Sequence, residues 1–329
     1  MACHVGVLPS DILQLVSRRL ESEESGCVTE LRLLKLLHPR TGTLSLFLPY
    51  TSPNNAKSTI LEVQSVSPPN RRSWFMQNEV QEDGKLLIMT PIDPIFLLIP
   101  LIHATQSVDG PGLFRPFDEV FEDALSKMKS SAKGDEEEGR RITLTDDMSI
   151  LASLSCVHAA MGRICDHKDI GHDILVYRYS AERTLEYLRS KVSRLSQQSV
   201  SELSSTLTRQ FARDGLLEDG KDELLEAARK KAACELLSHY LPREVYDQLV
   251  ASYDFSGLDE YVKGIKAETM ALASANMNTV EARESRGSVN KVMDEDKKRK
   301  APKTSAGVEK LKKVNIKGMA KLSTFFQKK

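Results

Sequence analysis

Cysteine and histidine residues cluster in the middle of the chain, and these residue types could bind a metal ion. They are Cys156, His158, Cys165, His167 and His172. Cys156 and His158 are two residues apart, so on a helix they would point to different faces. Zinc modules usually rely on tight ligand pairs such as Cys-X-X-Cys, which this stretch lacks. We therefore expect buried thiols and surface histidines, with no metal site and no cofactor in this chain.

Two groups of carboxylates could act as acid–base residues or hold two metal ions. They are the pair Asp146 and Asp147 and the run from Asp135 to Glu138. The run lies between glycines, which predicts a solvated loop, and the pair is typical of a helix start, where the dipole favours negative charge. The sequence contains no phosphate-binding loop, dinucleotide fingerprint or nucleophile elbow. We therefore predict that this chain carries no catalytic residue.

The end of the chain carries large apolar residues that have no evident core to enter. Met319, Leu322, Phe325 and Phe326 are spaced so that one helical turn brings Leu322 beside both rings. Such a plug can dock in a surface pocket of a folded partner, with the flanking lysines near an acidic rim. The spacing resembles the motif by which replication and repair proteins bind the sliding clamp, proliferating cell nuclear antigen. That motif normally begins with Gln, where this chain has Met319.

A basic cluster precedes this plug. Lys297, Lys298, Arg299 and Lys300 are consecutive and are followed closely by Pro302. Such a cluster fits a nuclear import signal, and the alternative is a tail that binds polyanions without specificity. We favour import, and hence a nuclear location.

Composition and charge separate a globular body from this tail. The chain has 329 residues, of which 40% are hydrophobic and 28% charged, as in soluble globular proteins. Residues 289–329 hold 13 basic and 4 acidic residues, so their net charge is +9 and that of the remainder is −9. No apolar run is long enough to span a bilayer, the start does not resemble a secretory signal, and the five cysteines are scattered. We expect an intracellular protein without a membrane partner or a disulfide framework.

Short strands are predicted between residues 28 and 90. The segments LRLLKLL (31–37), TLSLFLP (43–49) and ILEVQSV (60–66) are separated by turn residues, and SWFMQNEV and KLLIMTP follow them. ILEVQSV alternates, which places Leu61 and Val63 on one face and Glu62 and Gln64 on the other. Several short strands with such turns favour an antiparallel barrel or sandwich. Because so few residues form a small core, we expect another chain to complete the sheet.

Helices are predicted to dominate the next part of the chain. Asp93 can cap a buried helix that starts at Pro94, and Pro100 should kink that helix or end it early. DILVYRYS (173–180) favours a strand, after which Ser180 can cap an amphipathic helix.

Residues 142–198 could form a winged-helix-like module with DILVYRYS as a wing or core strand. Basic side chains would then supply phosphate contacts: Arg178, Arg183, Arg189, Lys191 and Arg194. The alternative is that they form the exposed face of an ordinary amphipathic helix.

The predicted fold class is α+β. An N-terminal segment without an assigned role (1–27) precedes a small antiparallel β-barrel-type region completed by a partner (28–90). A mainly helical domain (91–263) and a disordered basic tail (264–329) follow.

Four segments together resemble the family of B subunits of eukaryotic type 2 ribonuclease H. They are RRSWFMQNEVQEDGKLLIMTPIDPIFLLIPLI (71–102), YRYSAERTLEYLRSKV (177–192), LLSHYLPREVYDQL (236–249) and GMAKLSTFF (318–326). The shared order of four segments is more specific than any one of them, and it spans nearly the whole chain.

The resemblance implies a non-catalytic subunit of a heterotrimer. In that family the B and C subunits form an interlocked β-barrel assembly that supports the catalytic A subunit. The A subunit holds the catalytic carboxylates and magnesium. The enzyme cleaves RNA in RNA–DNA hybrids and incises at single ribonucleotides in duplex DNA. The alternative is a free-standing nucleic-acid-binding adaptor of the sliding clamp.

Overall fold

The computed structural model describes residues 4–21, 32–51, 58–70, 72–76, 79–106, 112–131, 138–172 and 174–286. The chain divides into two compact units, residues 1–266 and 267–329. The strands are β1 (Val5–Val7), β2 (Leu34–Leu37), β3 (Leu44–Thr51), β4 (Ser58–Val66), β5 (Trp74–Met76), β6 (Glu79–Gln81), β7 (Leu86–Ile92), β8 (Arg115–Pro116), β9 (Cys165–Asp169) and β10 (Leu175–Tyr179). The helices are α1 (Ser10–Glu21), α2 (Pro94–Ala104), α3 (Phe117–Ser131), α4 (Glu138–Ala152), α5 (Ser155–Ile164), α6 (Ala181–Leu195), α7 (Gln198–Ser201), α8 (Ser205–Arg213), α9 (Asp222–Ser238), α10 (Arg243–Ala251) and α11 (Ser256–Arg286). Within this part of the chain, no helix is long and apolar enough to cross a membrane.

The N-terminal strands form an open sheet in the order β1-β7-β4-β3-β2. Strands β2, β3, β4 and β7 pair antiparallel, as the sequence predicts. The sheet is not closed into a barrel, and β1 pairs parallel with β7. Both β1 and α1 lie in the segment 1–27, for which the sequence predicts no role.

The alternation of β4 places side chains on two covered faces. Leu61 and Val63 pack with Ile12 of α1 on one face. Ile60 lies on the other face and joins a larger core shared with the helices. The predicted alternation is therefore confirmed. Glu62, which lies between Leu61 and Val63, is buried on the side of the helices.

Helix α2 begins where the sequence predicts. The Asp93 side chain accepts a hydrogen bond from the Ile95 N–H at 3.1 Å, and Pro94 occupies the first turn. The helix continues through Pro100 to Ala104, so the expectation of an early end is wrong.

A second sheet, in the order β8-β10-β9, follows among the helices. Helices α3 to α5 lie between β8 and β9, and the β9–β10 hairpin comes next, as in a winged helix-turn-helix. Helix α6 follows this hairpin. Its predicted cap is confirmed, since the Ser180 hydroxyl accepts from the Arg183 N–H at 3.3 Å.

Three further local predictions differ from the structure. Asp146 and Asp147 lie near the end of α4, whose first residue is Glu138, so they do not start a helix and Glu138 is not in a loop. Helix α11 reaches Arg286, whereas the sequence predicts a disordered extension from residue 264. Met270 and Leu272 on this helix are exposed. A helix segment that does not bury one face needs no repeating apolar pattern, which explains why the sequence shows none there.

Candidate functional site

A β-hairpin with an exposed apolar face projects from the sheet domain (residues 4–92). Strands β5 and β6 form a two-stranded sheet in which Phe75 lies directly opposite Val80. The two side chains are 82% and 58% exposed. Paired apolar side chains on one strand face normally pack against another element. This hairpin is therefore a candidate binding surface.

The base of the hairpin is held firmly to the chain that leads into β7. The Trp74 indole N–H donates to the Lys85 carbonyl at 2.9 Å. The chain at Gly84 passes so close to Arg72 that an added Cβ would lie 2.2 Å from the Arg72 carbonyl oxygen. Only glycine fits this approach. The hairpin is therefore anchored at its base, while Phe75 and Val80 on its strands are exposed.

The β2 edge of the first sheet is closed by a side chain from α4. Asp147, which is 3% exposed, accepts from the Lys35 backbone N–H at 2.9 Å and from Arg32 Nη2 at 2.8 Å. A backbone N–H used in this way cannot pair with an incoming strand. Asp147 therefore blocks strand addition at this edge.

The opposite edge is available. Val7 of β1 is 54% exposed, and within the described residues no strand pairs with the outer side of β1. Val5 lies opposite Leu86, immediately after the anchored base of the hairpin. We call β1 and the β5–β6 hairpin together the strand-docking surface.

The basic residues that were predicted to contact nucleic acid lie on β10 and α6, and most have partners within the chain. Arg178 pairs with Asp166 at 2.9 Å, and Arg183 Nη2 donates to the Gly162 carbonyl at 3.0 Å. Lys191 Nζ lies 2.6 Å from an Asp93 carboxylate oxygen.

The remaining two members of this set are exposed. Arg189 Nε donates to the Ser252 hydroxyl at 3.2 Å, and Arg194 lies near the end of α6. The five cations therefore do not converge on one bare surface, and nucleic-acid contact stays a prediction.

The cysteine and histidine cluster is spread over α5, β9 and the segment that follows β9. Cys156 and His158 lie on α5, with Cys156 half-buried and His158 exposed. Burial raises the pKa of the Cys165 thiol to about 12, which keeps it protonated. Among the residues that the structure describes, no group of three or more His, Cys, Asp or Glu side chains could hold a metal ion.

The remaining predicted sites lie outside the described residues. They are the sliding-clamp residues Met319, Leu322, Phe325 and Phe326 and the import cluster Lys297, Lys298, Arg299 and Lys300. Conversely, β1, Asp147 and Glu62 were not predicted as functional positions. The one sequence signal for Glu62 is its charge, because it lies among the apolar residues of β4.

Comparisons with known families match both domains. The triple barrel domain of the Ydr279p protein family matches residues 7–93. The wHTH domain of the same family, described as an RNase H2 complex component, matches residues 96–250. The two matches together cover most of the chain, and they define the class of protein as an RNase H2 complex component.

Curated relatives identify which component it is. The ribonuclease H2 B subunit of Homo sapiens is 26% identical over 98% of this chain and 95% of the human protein. The Xenopus tropicalis protein of the same name is 28% identical over 78% of this chain and 76% of its own length. The Schizosaccharomyces pombe protein of that name is 24% identical over 92% of this chain and 96% of its own length. The chain belongs to the family of ribonuclease H2 B subunits, which confirms the resemblance drawn from the four segments.

Proposed function

We propose that this chain is a non-catalytic structural and recruiting subunit of the type 2 ribonuclease H complex. It joins a catalytic A subunit and a C subunit, and the complex cleaves RNA in RNA–DNA hybrids and incises at single ribonucleotides in duplex DNA. The observation that carries the proposal is the strand-docking surface, found in a chain whose relatives are named as subunits of that enzyme. Magnesium and its carboxylate ligands belong to the A subunit.

The physical reason for assembly is an incomplete sheet. The outer side of β1 offers backbone donors and acceptors, and the Phe75–Val80 pair offers apolar area nearby in the chain. A partner strand added to β1 would satisfy these backbone groups, and a partner surface over the hairpin would bury the apolar pair. We therefore assign the partner contact to this surface and not to the β2 edge, which Asp147 blocks.

The tail supplies recruitment. Leu322, Phe325 and Phe326 form the plug that enters the sliding clamp, with Met319 in the first position, and Lys297–Lys300 direct nuclear import. The double substitution Phe325→Ala and Phe326→Ala should abolish clamp binding in a pull-down while hybrid cleavage by the assembled enzyme stays intact. Lost cleavage would show that the tail does more than recruit.

The helical domain assists substrate contact through its exposed basic residues. Arg189 and Arg194 are the members of the predicted set best placed for this role, because both are exposed on α6. Reversal of Arg189 to Glu should weaken hybrid binding by the complex and flatten its salt dependence.

Co-expression tests the proposal directly. The full chain is expressed alone and with the A and C subunits of its own type 2 ribonuclease H, and recovered material is assayed for hybrid cleavage with and without magnesium. We expect a stable ternary complex whose cleavage needs magnesium, and no cleavage by the chain alone. If the chain is monodisperse and binds neither subunit, that result would instead support a free-standing clamp adaptor.

A further inference from the structure

The sheet domain and the helical domain (residues 94–266) meet without a linker. Strand β7 ends at Ile92 and α2 begins at Pro94, so Asp93 alone separates them. Its backbone is extended, with φ −73° and ψ 122°, and the proline that follows fixes the entry into the helix. The direction in which α2 leaves the sheet is therefore set at one residue.

Two side chains of helix α6 bind the carboxylate of Asp93. The Tyr187 hydroxyl donates to the Asp93 carboxylate, and Lys191 Nζ lies 2.6 Å from the same oxygen. Tyr187 and Lys191 are four residues apart and so share one helix face. Burial alone would raise the pKa of Asp93, but the donors Lys191, Tyr187 and the Ile95 N–H, together with the lysine charge, lower it overall. The carboxylate is therefore ionised and fully engaged in the folded chain.

A second carboxylate joins the same two domains elsewhere, and it is more deeply buried than the half-buried Asp93. Glu62 of β4 is 3% exposed and accepts from the Tyr240 hydroxyl at 2.7 Å, with His38 Nε2 at 3.7 Å. Tyr240 lies between α9 and α10, in the helical domain. Burial, followed by the bond to Glu62, raises the pKa of Tyr240 to about 12, so it remains a donor. Arg40 Nη1 also donates to the Leu241 carbonyl at 3.2 Å.

We propose that Asp93 and Glu62 lock the helical domain in one orientation on the sheet domain, and that Lys191 is a positioning residue of this lock. Apolar contacts across the shared core stabilise the two domains against each other but are non-directional. A buried carboxylate that loses its donors is strongly penalised, so orientations without these pairs are disfavoured. The helical domain, which contains the winged helix, then keeps one orientation relative to the strand-docking surface.

The lock differs from the phosphate contact that the sequence predicts for Lys191, and two measurements on the full chain separate them. The first is a double-mutant cycle of Asp93→Asn and Lys191→Met, followed by chemical unfolding. Each single substitution should lower the folding equilibrium constant by about 10- to 100-fold, and the double substitution by no more than the larger single effect. Lys191→Arg should restore most of the loss. Arg194→Met is the matched control, since it removes the same charge from an exposed site on α6, and it should change the constant less than about threefold.

The second measurement is hydrogen exchange at the start of α2, where Lys191→Met should speed exchange of the Ile95 and Phe96 amides about tenfold or more. Exchange of the β9–β10 hairpin, to which no described hydrogen bond or ion pair of Asp93 or Lys191 extends, should stay unchanged. Additive effects in the cycle, or unchanged exchange at α2, would overturn the lock.

A third readout uses the assembled enzyme and rests on the proposed function. The salt dependence of hybrid binding should be the same for Lys191→Met and wild type, whereas loss of a phosphate contact would reduce the logarithmic slope by about one. A reduced slope with an additive cycle would identify Lys191 as a phosphate contact and refute the lock. If the chain never assembles with the other subunits, the proposed function fails, while the unfolding and exchange results still decide on the lock.

Discussion

Replacing Phe75 with alanine should separate partner binding from folding. The ring is 82% exposed, so its loss should change the free energy of unfolding of the chain by less than about 0.5 kcal/mol. Full burial of a phenylalanine side chain in a partner interface contributes about 1.5–3 kcal/mol. Scaled by the area still exposed, the substitution should cost about 1–2.5 kcal/mol of binding, which is roughly a 5- to 70-fold increase in Kd.

The assay is titration of the full chain with the other two subunits, run beside thermal unfolding of the chain alone. Phe47→Ala is the matched control, because Phe47 lies in a strand of the same domain but is 0% exposed. That substitution should lower the unfolding free energy by about 3–5 kcal/mol. An unchanged Kd for Phe75→Ala, or a stability loss as large as that of Phe47→Ala, would refute the assignment of the hairpin as a binding surface.

Three further predictions concern individual contacts. Asp147→Ala leaves the Lys35 N–H without its acceptor and should lower the unfolding free energy by about 1.5–3 kcal/mol by denaturant titration. Arg32→Ala leaves the bond between the Lys35 N–H and the carboxylate in place, so it should lower the unfolding free energy by a smaller amount. Equal losses would contradict this ranking. Gly84→Ala should weaken partner binding by displacing the hairpin, and hydrogen exchange of β5 and β6 should rise; unchanged exchange would argue against the close approach. The pKa of Asp93 in the folded chain lies below the ordinary 3.8, so the ionised carboxylate stabilises the fold fully above pH 3.8. That stabilisation is lost as the pH falls through the pKa of the folded chain. Asp93→Asn should therefore flatten the acid limb of a curve of stability against pH. An equally steep limb would count against an ionised Asp93.

Local signals in the sequence were sufficient wherever one residue determines a local geometry. The caps at Asp93 and Ser180 depend on side-chain oxygens next to the first helical turn, and both are present. The alternation of β4 is likewise a property of neighbouring residues, and it assigned Leu61 and Val63 to one face correctly.

Long-range contacts could not be predicted from the same signals. The buried bonds of Asp147 and Glu62 join residues more than one hundred positions apart, and a single sequence gives no register for such pairs. Asp147 was interpreted as a helix-start residue because its type suits that position, whereas its partner on β2 explains why a carboxylate is tolerated near the helix end. Pro100 remains inside α2 because neighbouring elements bury the helix on nearly every side, which outweighs the local penalty.

The blocked β2 edge also determines how far assembly can proceed. A sheet with two open edges can add strands at both and so grow into an unlimited fibre. In the described sheet, Asp147 occupies a backbone donor on one side, and β1 lies on the other. Strand addition to the described sheet is then confined to the β1 edge, so copies of this chain cannot join through both edges into a continuous sheet. A single carboxylate on a helix thereby favours a finite complex of fixed stoichiometry over a polymer.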